Sequence, residues 1–176
     1  MELLLEQIEK GLDANLYYLS LFVALCIPDI CGAIESENSE ANRDKYLKWI
    51  EEYLIKARPE KYGRQLSAEH IYYFRCALLH QGRTKHDQKI EYKRILFVEP
   101  GIKTGIDSIH CCIVGSSGQD KSLLINLIQF CTDIITGVKL WQKNNLTNQD
   151  YLKNYERLIK RYPNGVSPIF GCPIIG

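Results

Sequence analysis

The chain has 176 residues, enough for one domain with a real hydrophobic core. Its 45% apolar and 24% charged residues exclude a disordered tail, and its net charge of +1 gives no global reason to expect nucleic-acid binding. The charge is unevenly spread, because residues 1–52 carry a net −7 and residues 53–176 a net +8. This asymmetry is compatible with a local basic surface or with two halves that attract each other.

The first part of the chain is predicted to form two helices. Apolar side chains at helical spacing predict a helix over residues 2–27, which Gly11 weakens enough to allow two pieces. We expect Pro28 to end it in a turn, because proline lacks the N–H that a helix interior needs. A second helix is predicted over residues 42–56, and Pro59 follows its end.

The middle of the chain contains a third predicted helix, and after it the apolar pattern changes to one that is typical of strands. Ser67 is a suitable N-cap for a third helix, and Gly82 is a suitable end for it. Two β-rich stretches follow, residues 89–100 and 105–115, with a Pro-Gly turn between them. They predict a small hairpin inserted between helices.

The last part returns to helical spacing, with a fourth helix predicted over residues 120–143 and a fifth over residues 149–162. The tail after them is rich in proline and glycine and should be irregular, although its apolar residues favour packing against the rest. The predicted fold class is therefore mainly α. We expect a single domain over residues 1–176, a bundle of four to five helices with a β-hairpin inserted at about 89–115.

The number and placement of the cysteines indicate the cellular compartment in which the protein is found. The number is odd and most of the thiols sit in apolar runs, as is typical of a reduced protein. The seven are Cys26, Cys31, Cys76, Cys111, Cys112, Cys131 and Cys172. The N-terminus has Glu2 and Glu6 where a signal peptide carries basic residues, and the longest apolar run, residues 16–27, is short for a bilayer span. We therefore expect a cytoplasmic protein without membrane contact.

The end of the predicted third helix holds the residues that are best suited to phosphate binding and proton transfer. Arg75 and His80 are five residues apart, which on a helix is about 140° around the axis and about 7.5 Å along it. They can flank a groove, where the arginine fork would bind a phosphate and the histidine would transfer a proton. Asp29 is a candidate to orient Arg75. The alternative is structural: Arg75 is a surface charge, and His80 only complements the helix dipole.

These residues carry a resemblance to a known family. An Arg, four intervening residues and a His inside the third helix of a predicted bundle, in the context FRCALLHQGR, resemble the signature of the HEPN superfamily. The segments IPDICG and KRYPNGVSP are similar to an uncharacterised bacterial branch of it. Members usually carry a polar residue, often Asn, directly after the Arg, where this chain has Cys76.

The resemblance implies a metal-independent endoribonuclease of toxin or defence type that needs no cofactor. In that family the motif lines a cleft between two domains, usually of a homodimer, and a ribose 2′-hydroxyl attacks the adjacent phosphodiester. His80 would then transfer the proton and Arg75 would hold the phosphate, with RNA as substrate and an antitoxin protein as a candidate partner. The alternative is a non-catalytic HEPN-like module that binds RNA, a nucleotide or a protein partner. A structural domain without a ligand is a third interpretation.

A basic run after the motif adds candidate contacts to an RNA backbone. Tyr92 is interleaved with these basic side chains, and the alternative for them is a solvated loop and strand edge. The predicted substrate-binding residues are Arg83, Lys85, Lys89, Lys93 and Arg94. Arg83 would lie on a face next to His80 if the helix persisted that far.

Three further patterns are interpreted as structural. Residues 115–122 resemble a phosphate-binding loop by position, but Asp120 precedes Lys121 where such a loop needs glycine, so a helix N-cap is predicted there. The cysteines and the histidine at residues 110–112 contain no CxxC pair, so no zinc site is predicted. The Cys76 thiol, flanked by apolar residues, is interpreted as core packing rather than as a nucleophile.

Overall fold

The computed structural model describes residues 1–63, 65–84, 92, 94–101, 109–115 and 121–176. The chain is mainly helical, 56% of it in helices, with several short strands. The described helices are α1 Glu2–Asp13, α2 Tyr17–Ile34, α3 Arg43–Ile50, α4 Pro59–Tyr62, α5 Ala68–Gln81, α6 Leu127–Asn145 and α7 Gln149–Tyr155, and a π-helical turn, Glu51–Ile55, continues α3. The described strands are β1 Arg94–Val98, β2 Cys112–Val114, β3 Ser122–Asn126, β4 Arg161–Tyr162, β5 Gly165–Val166, β6 Ile169–Phe170 and β7 Ile174–Ile175.

The first predicted helix is two helices, and the prediction that Pro28 ends it is wrong. The break falls at Asn15, which has a left-handed φ of 57°, and α2 then runs through Pro28 to Ile34. The proline and several of its neighbours in α2 are buried, Ile27 and Cys31 completely. Their packing outweighs the one backbone hydrogen bond that proline removes.

Helix α2 has the length and apolar composition that a membrane-crossing helix needs, the one such helix in the described ranges. Half of its 18 residues are buried inside the fold, and core helices of soluble proteins share this composition.

The predictions for the second and third helices are confirmed. Asn42 caps α3 by accepting from the backbone N–H of Lys45 at 3.0 Å. Ser67 caps α5 by accepting from the N–H of His70 at 3.2 Å. Gly82 ends α5 in a left-handed conformation with φ of 62°, where glycine lacks the Cβ that would be strained.

The predicted hairpin is wrong in its pairing. β1 and β2 both pair with β3, β1 in parallel and β2 antiparallel, so the sheet order is β1-β3-β2. β3 occupies the start of the predicted fourth helix, and α6 begins only after it, capped by Asn126. The N-cap predicted at residues 115–122 is therefore wrong as well. A short apolar run carries no period that separates strand from helix, which is why the sequence did not reveal β3.

The C-terminal part also departs from prediction. α7 ends at Tyr155 rather than near residue 162, and the tail folds on itself, with β4 paired to β7 and β5 to β6. Ile169 and Phe170 are exposed, so the expectation that the tail packs down is wrong for them. Pairing inside the tail satisfies part of its backbone without burial against the helices.

The core holds α2, α3 and α5 in contact around buried aromatic side chains. Tyr46 and Trp49 of α3 and Trp141 of α6 are almost completely buried. Phe97 of β1 bridges α5 and α6, with ring centroids 5.1 Å from both Phe74 and Phe130. Helix α5, which carries Arg75, contacts both α2 and α3.

Candidate functional site

The structure brings Arg75, His80 and Asp29 together. Arg75 Nη2 donates to the Asp29 carboxylate on α2, and Arg75 Nη1 lies 3.1 Å from His80 Nε2. The guanidinium thus spans the gap that the helical spacing leaves between the two motif residues. The hypothesis that Asp29 orients Arg75 is confirmed as a contact, although Asp29 lies inside α2 and not in a turn.

The contact between Arg75 and His80 depends on the tautomer of the histidine. A guanidinium has donors and no acceptor, so Arg75 Nη1 donates to His80 Nε2 in the tautomer that carries its proton on Nδ1. His80 lies exposed in the last turn of α5, directly before the residues that end the helix.

Tyr46 supports the guanidinium and was not among the predicted site residues. The Arg75 guanidinium carbon lies 5.8 Å from the centroid of the Tyr46 ring, a cation–π distance. The ring is buried, and its hydroxyl donates to the Leu25 carbonyl at 3.2 Å. Tyr46 was predicted only as part of an apolar stripe, and its position under Arg75 depends on how α3 packs against α5.

The ion pair is half-open to solvent. The side chains of Arg75 and Asp29 are each 18% exposed. Arg75 Nε is buried and has no hydrogen-bond partner within the described ranges. The Nε donor is therefore unused and enclosed, while Nη1 contacts His80 and Cys76 and Nη2 contacts Asp29.

Burial shapes the protonation of this pair. Burial raises the pKa of the Asp29 carboxyl, and the charge and hydrogen bond of Arg75 only partly oppose this. Burial also lowers the pKa of Arg75, but the contacts with Asp29 and Cys76 together outweigh that effect and the net pKa is raised. Asp29 therefore takes up a proton at higher pH than an ordinary aspartate, while Arg75 stays charged.

Two thiols lie near the guanidinium. Arg75 Nη1 donates weakly to Cys76 Sγ at 3.8 Å. Burial raises the pKa of the Cys26 thiol, and the charges of Arg75 and Asp29 also act on it. A raised thiol pKa leaves Cys26 protonated at neutral pH, which is unlike an activated nucleophile.

The other predicted contacts are not joined to this site. Arg83 is exposed beyond the left-handed Gly82, so α5 does not persist to place it beside His80; its N–H instead closes the helix on the Ala77 carbonyl at 3.0 Å. Arg94 is exposed at the start of β1, and strand alternation turns it away from the face on which Phe97 contacts α5. Lys85, Lys89 and Lys93 lie outside the described residues, and the role of all five stays a prediction.

No metal centre is found in the part of the chain that the structure describes. No three His, Cys, Asp or Glu side chains there lie close enough to hold an ion. The seven cysteines are all free. Ser122, the last residue of the phosphate-loop-like segment, lies in β3, and residues 116–120 lie outside the described ranges.

A second charged cluster lies on α6 and was not predicted. Asp133 is only 3% exposed and accepts hydrogen bonds from several donors. These are Arg58 Nε at 2.9 Å, Lys61 Nζ at 3.1 Å, the Tyr62 hydroxyl at 2.9 Å and Gln129 Nε2 at 3.0 Å. Every carboxylate oxygen is occupied by side chains from the α4 region and α6, so this cluster has the character of a structural lock.

His110 packs against that cluster. Its ring centroid lies 4.8 Å from that of Tyr62, and both ring nitrogens are buried without a partner in the described ranges. Burial lowers the pKa of His110, and the positive charge of Lys61 adds to this while Asp133 opposes it. His110 is therefore neutral at pH 7, and both of its ring nitrogens are enclosed away from solvent.

Comparison with protein-family models, with curated proteins and with solved structures finds no match for this chain.

Proposed function

We propose that the chain is a metal-independent endoribonuclease of HEPN type, with Arg75 and His80 as its catalytic residues. The observation that carries the proposal is the 3.1 Å approach of Arg75 Nη1 to His80 Nε2 at a solvent-exposed helix end. A permanent phosphate-binding cation beside a neutral proton acceptor is the pair that attack by a 2′-hydroxyl requires.

In the proposed reaction His80 Nε2 removes the proton from the ribose 2′-hydroxyl. The 2′-oxygen forms a bond to the adjacent phosphorus, and the bond from phosphorus to the 5′-oxygen breaks. The 5′-oxygen takes a proton from the protonated His80 or from water. The products are a 2′,3′-cyclic phosphate and a 5′-hydroxyl, and Arg75 neutralises the charge that develops on the non-bridging phosphate oxygens.

Asp29 has a positioning role in this scheme. It holds Nη2 of Arg75 through the ion pair, while Nη1 lies against His80 Nε2. A bound phosphate would draw the Nη1 donor away from His80 and so free the Nε2 lone pair for the 2′-hydroxyl. Phosphate binding and activation of the base would then be one event.

The biological setting is proposed from the same resemblance. We expect a cytoplasmic homodimer of toxin or defence type, with RNA as substrate and an antitoxin protein as partner. Expression of the parent chain should then arrest bacterial growth, whereas the His80→Ala variant should not.

A non-catalytic HEPN-like module that binds RNA, a nucleotide or a protein is the second candidate. Two observations favour it: Arg75 is already paired and only 18% exposed, and Cys76 stands where the family usually has Asn. A module of this kind would bind RNA through Arg75 without cleaving it.

The decisive experiment is cleavage of single-stranded and transfer RNA by the purified chain in the presence of a chelator. We expect Arg75→Ala and His80→Ala each to lower the rate by about 100-fold or more. Arg161→Ala, an exposed arginine on β4, is the matched control and should leave the rate unchanged.

The products and the substrate analogue separate the outcomes. Cyclic-phosphate ends and inert DNA of the same sequence would support the 2′-hydroxyl route, because DNA lacks the nucleophile. No cleavage by a folded, dimeric parent would contradict the enzyme proposal, and retained RNA binding would then favour the second candidate.

A further inference from the structure

A cleft of about 290 Å³ opens between the end of α2 and the end of α7. Ile30, Ile34 and Leu158 form its apolar floor, and Ser39 and Arg157 form a polar rim. An apolar floor with a few converging polar groups is the usual composition of a small-molecule site. The volume is close to the lower end of that class, about 300 Å³.

The rim of this cleft is held by a buried amide. Asn154 is 4% exposed, and its Nδ2 donates to the carbonyls of Ile34 at 3.1 Å and Ser36 at 2.8 Å. Its Oδ1 accepts from the Ser39 hydroxyl at 2.7 Å, which holds Ser39 in a left-handed conformation with φ of 56°. The loop at the rim is thus fixed by a satisfied buried side chain.

Arg157 is the cation available at this rim. Its Nη1 donates to Ser39 Oγ at 3.4 Å, a long contact, and it has no carboxylate partner among the described residues. The side chain is exposed, so its other donors are open to an incoming anion. A planar guanidinium over an apolar floor suits a ligand with a flat ring and a phosphate.

The cleft begins one helical turn from the Arg75 site. The half-exposed residues Cys26, Asp29 and Ala33 follow one stripe of α2, and Ala33 also lines the cleft. Residues four apart on a helix share a face and are about 6 Å apart along its axis. The Ala33 side of the cleft therefore lies about one turn of α2 from Asp29, the partner of Arg75, and Arg157 lines the same cleft.

We propose that this cleft is a nucleotide subsite of the RNA strand that is cleaved at Arg75 and His80. A base packs on the Ile30, Ile34 and Leu158 floor, and the phosphate of that nucleotide binds Arg157. This inference rests on the proposed function for its substrate, but it concerns different residues and can fail separately.

The test is binding of a labelled single-stranded RNA decamer to His80→Ala protein, with and without Arg157→Gln, over a range of salt concentrations. Arg157→Gln should weaken binding about tenfold, the effect of ~1.4 kcal/mol. It should also reduce the slope of log affinity against log salt by about one, because one phosphate contact is lost. Arg161→Gln removes the same charge outside the cleft and should change neither quantity as much.

A second experiment measures RNA cleavage and nucleotide binding in protein that keeps His80. In cleavage assays Arg157→Gln should raise KM and leave kcat nearly unchanged, because Arg157 binds the strand away from the reacting atoms. Uridine 5′-monophosphate should shift amide resonances of residues 30–39 and 154–158 in the parent and not in Arg157→Gln.

The outcomes separate the two proposals. Efficient RNA cleavage with Arg157→Gln equal to Arg161→Gln would overturn the subsite and leave the ribonuclease proposal standing. No cleavage, together with binding of the mononucleotide that depends on Arg157, would support the subsite and reject the enzyme. A change of oligomeric state in Arg157→Gln without any effect on RNA or nucleotide binding would assign the cleft to a protein contact and overturn the subsite.

Discussion

Among the described residues, two arginine–aspartate pairs join separate helical elements, and they differ in how completely they are enclosed. Asp133 is buried, and four side-chain donors bind it, Arg58 among them. The Arg75–Asp29 pair is 18% exposed on each side, leaves Arg75 Nε without a described partner and contacts the exposed His80. The saturated pair leaves no carboxylate oxygen without a donor, whereas in the half-open pair Nη1 of Arg75 is held only by the exposed His80 and weakly by Cys76, contacts that a phosphate could replace.

The largest expected difference between the two pairs is the loss of stability when Asp133 is replaced. Asp133→Asn keeps the size but leaves Arg58 and Lys61 without their carboxylate, and breaking such a buried network costs about 3–5 kcal/mol. We expect the free energy of unfolding in urea to fall by that amount. Asp44→Asn, at a side chain that is 91% exposed, is the control and should stay within about 0.5 kcal/mol of the parent. Equal effects of the two changes would contradict the structural role of Asp133.

Asp29→Asn should change the stability less than Asp133→Asn does, and it should lower the rate of RNA cleavage. Because the pair is partly solvated and burial opposes the ionised carboxylate, we expect the free energy of unfolding to change by less than about 1 kcal/mol at pH 7, well below the cost at Asp133. RNA cleavage should fall about tenfold, since Arg75 loses the partner that positions it. A loss of stability as large as that of Asp133→Asn would show that both pairs are structural locks.

The pH dependence of Asp29 has a defined sign. Burial raises its pKa in the folded chain, so the folded state binds the proton more readily than the unfolded state. The contribution of Asp29 to stability is therefore most favourable below its unfolded pKa and is lost as pH rises through the folded pKa. Cleavage should fall on acidification at a higher pH than an ordinary aspartate would give, and this acid limb should be absent from Asp29→Asn.

Replacement of His110 by phenylalanine should stabilise the fold around the Asp133 cluster. His110→Phe keeps the ring against Tyr62 and removes two buried nitrogens without described partners, so we expect a gain of about 1 kcal/mol. Burial lowers the pKa of His110, so the unfolded chain binds its proton first and stability falls as pH drops through the unfolded value of 6.5. Urea unfolding at pH 7.5 and pH 5.5 should show a smaller pH difference for His110→Phe. An unchanged difference would assign it to other groups.

What could be predicted from the sequence was local. The bounds of α5 follow from Ser67 and Gly82, whose capping preferences act within one turn, and the approach of Arg75 to His80 follows from their positions on that helix. β3 could not be predicted, because its pairing with β1 joins residues 28 apart in the sequence, as in Arg94 with Ser122. The position of Tyr46 under Arg75 likewise depends on packing between helices.

The smallest expected effect is at Cys76, which tests how the half-open pair is tuned. Its Sγ is a weak acceptor 3.8 Å from Arg75 Nη1, the same nitrogen that contacts His80. In Cys76→Asn the amide oxygen is a stronger acceptor and should hold the guanidinium more firmly, so we expect cleavage to rise about two- to fivefold through better preorganisation.

Stability should stay within about 0.5 kcal/mol in that variant, because the side chain is only half-buried. Cys76→Ala removes the acceptor and is the matched comparison, with cleavage at or slightly below that of the parent. If Cys76→Asn cleaves more slowly than Cys76→Ala, a firmer hold on Nη1 hinders its transfer from His80 to phosphate. In that case the weak thiol contact is what lets one guanidinium serve both the resting histidine and the bound substrate.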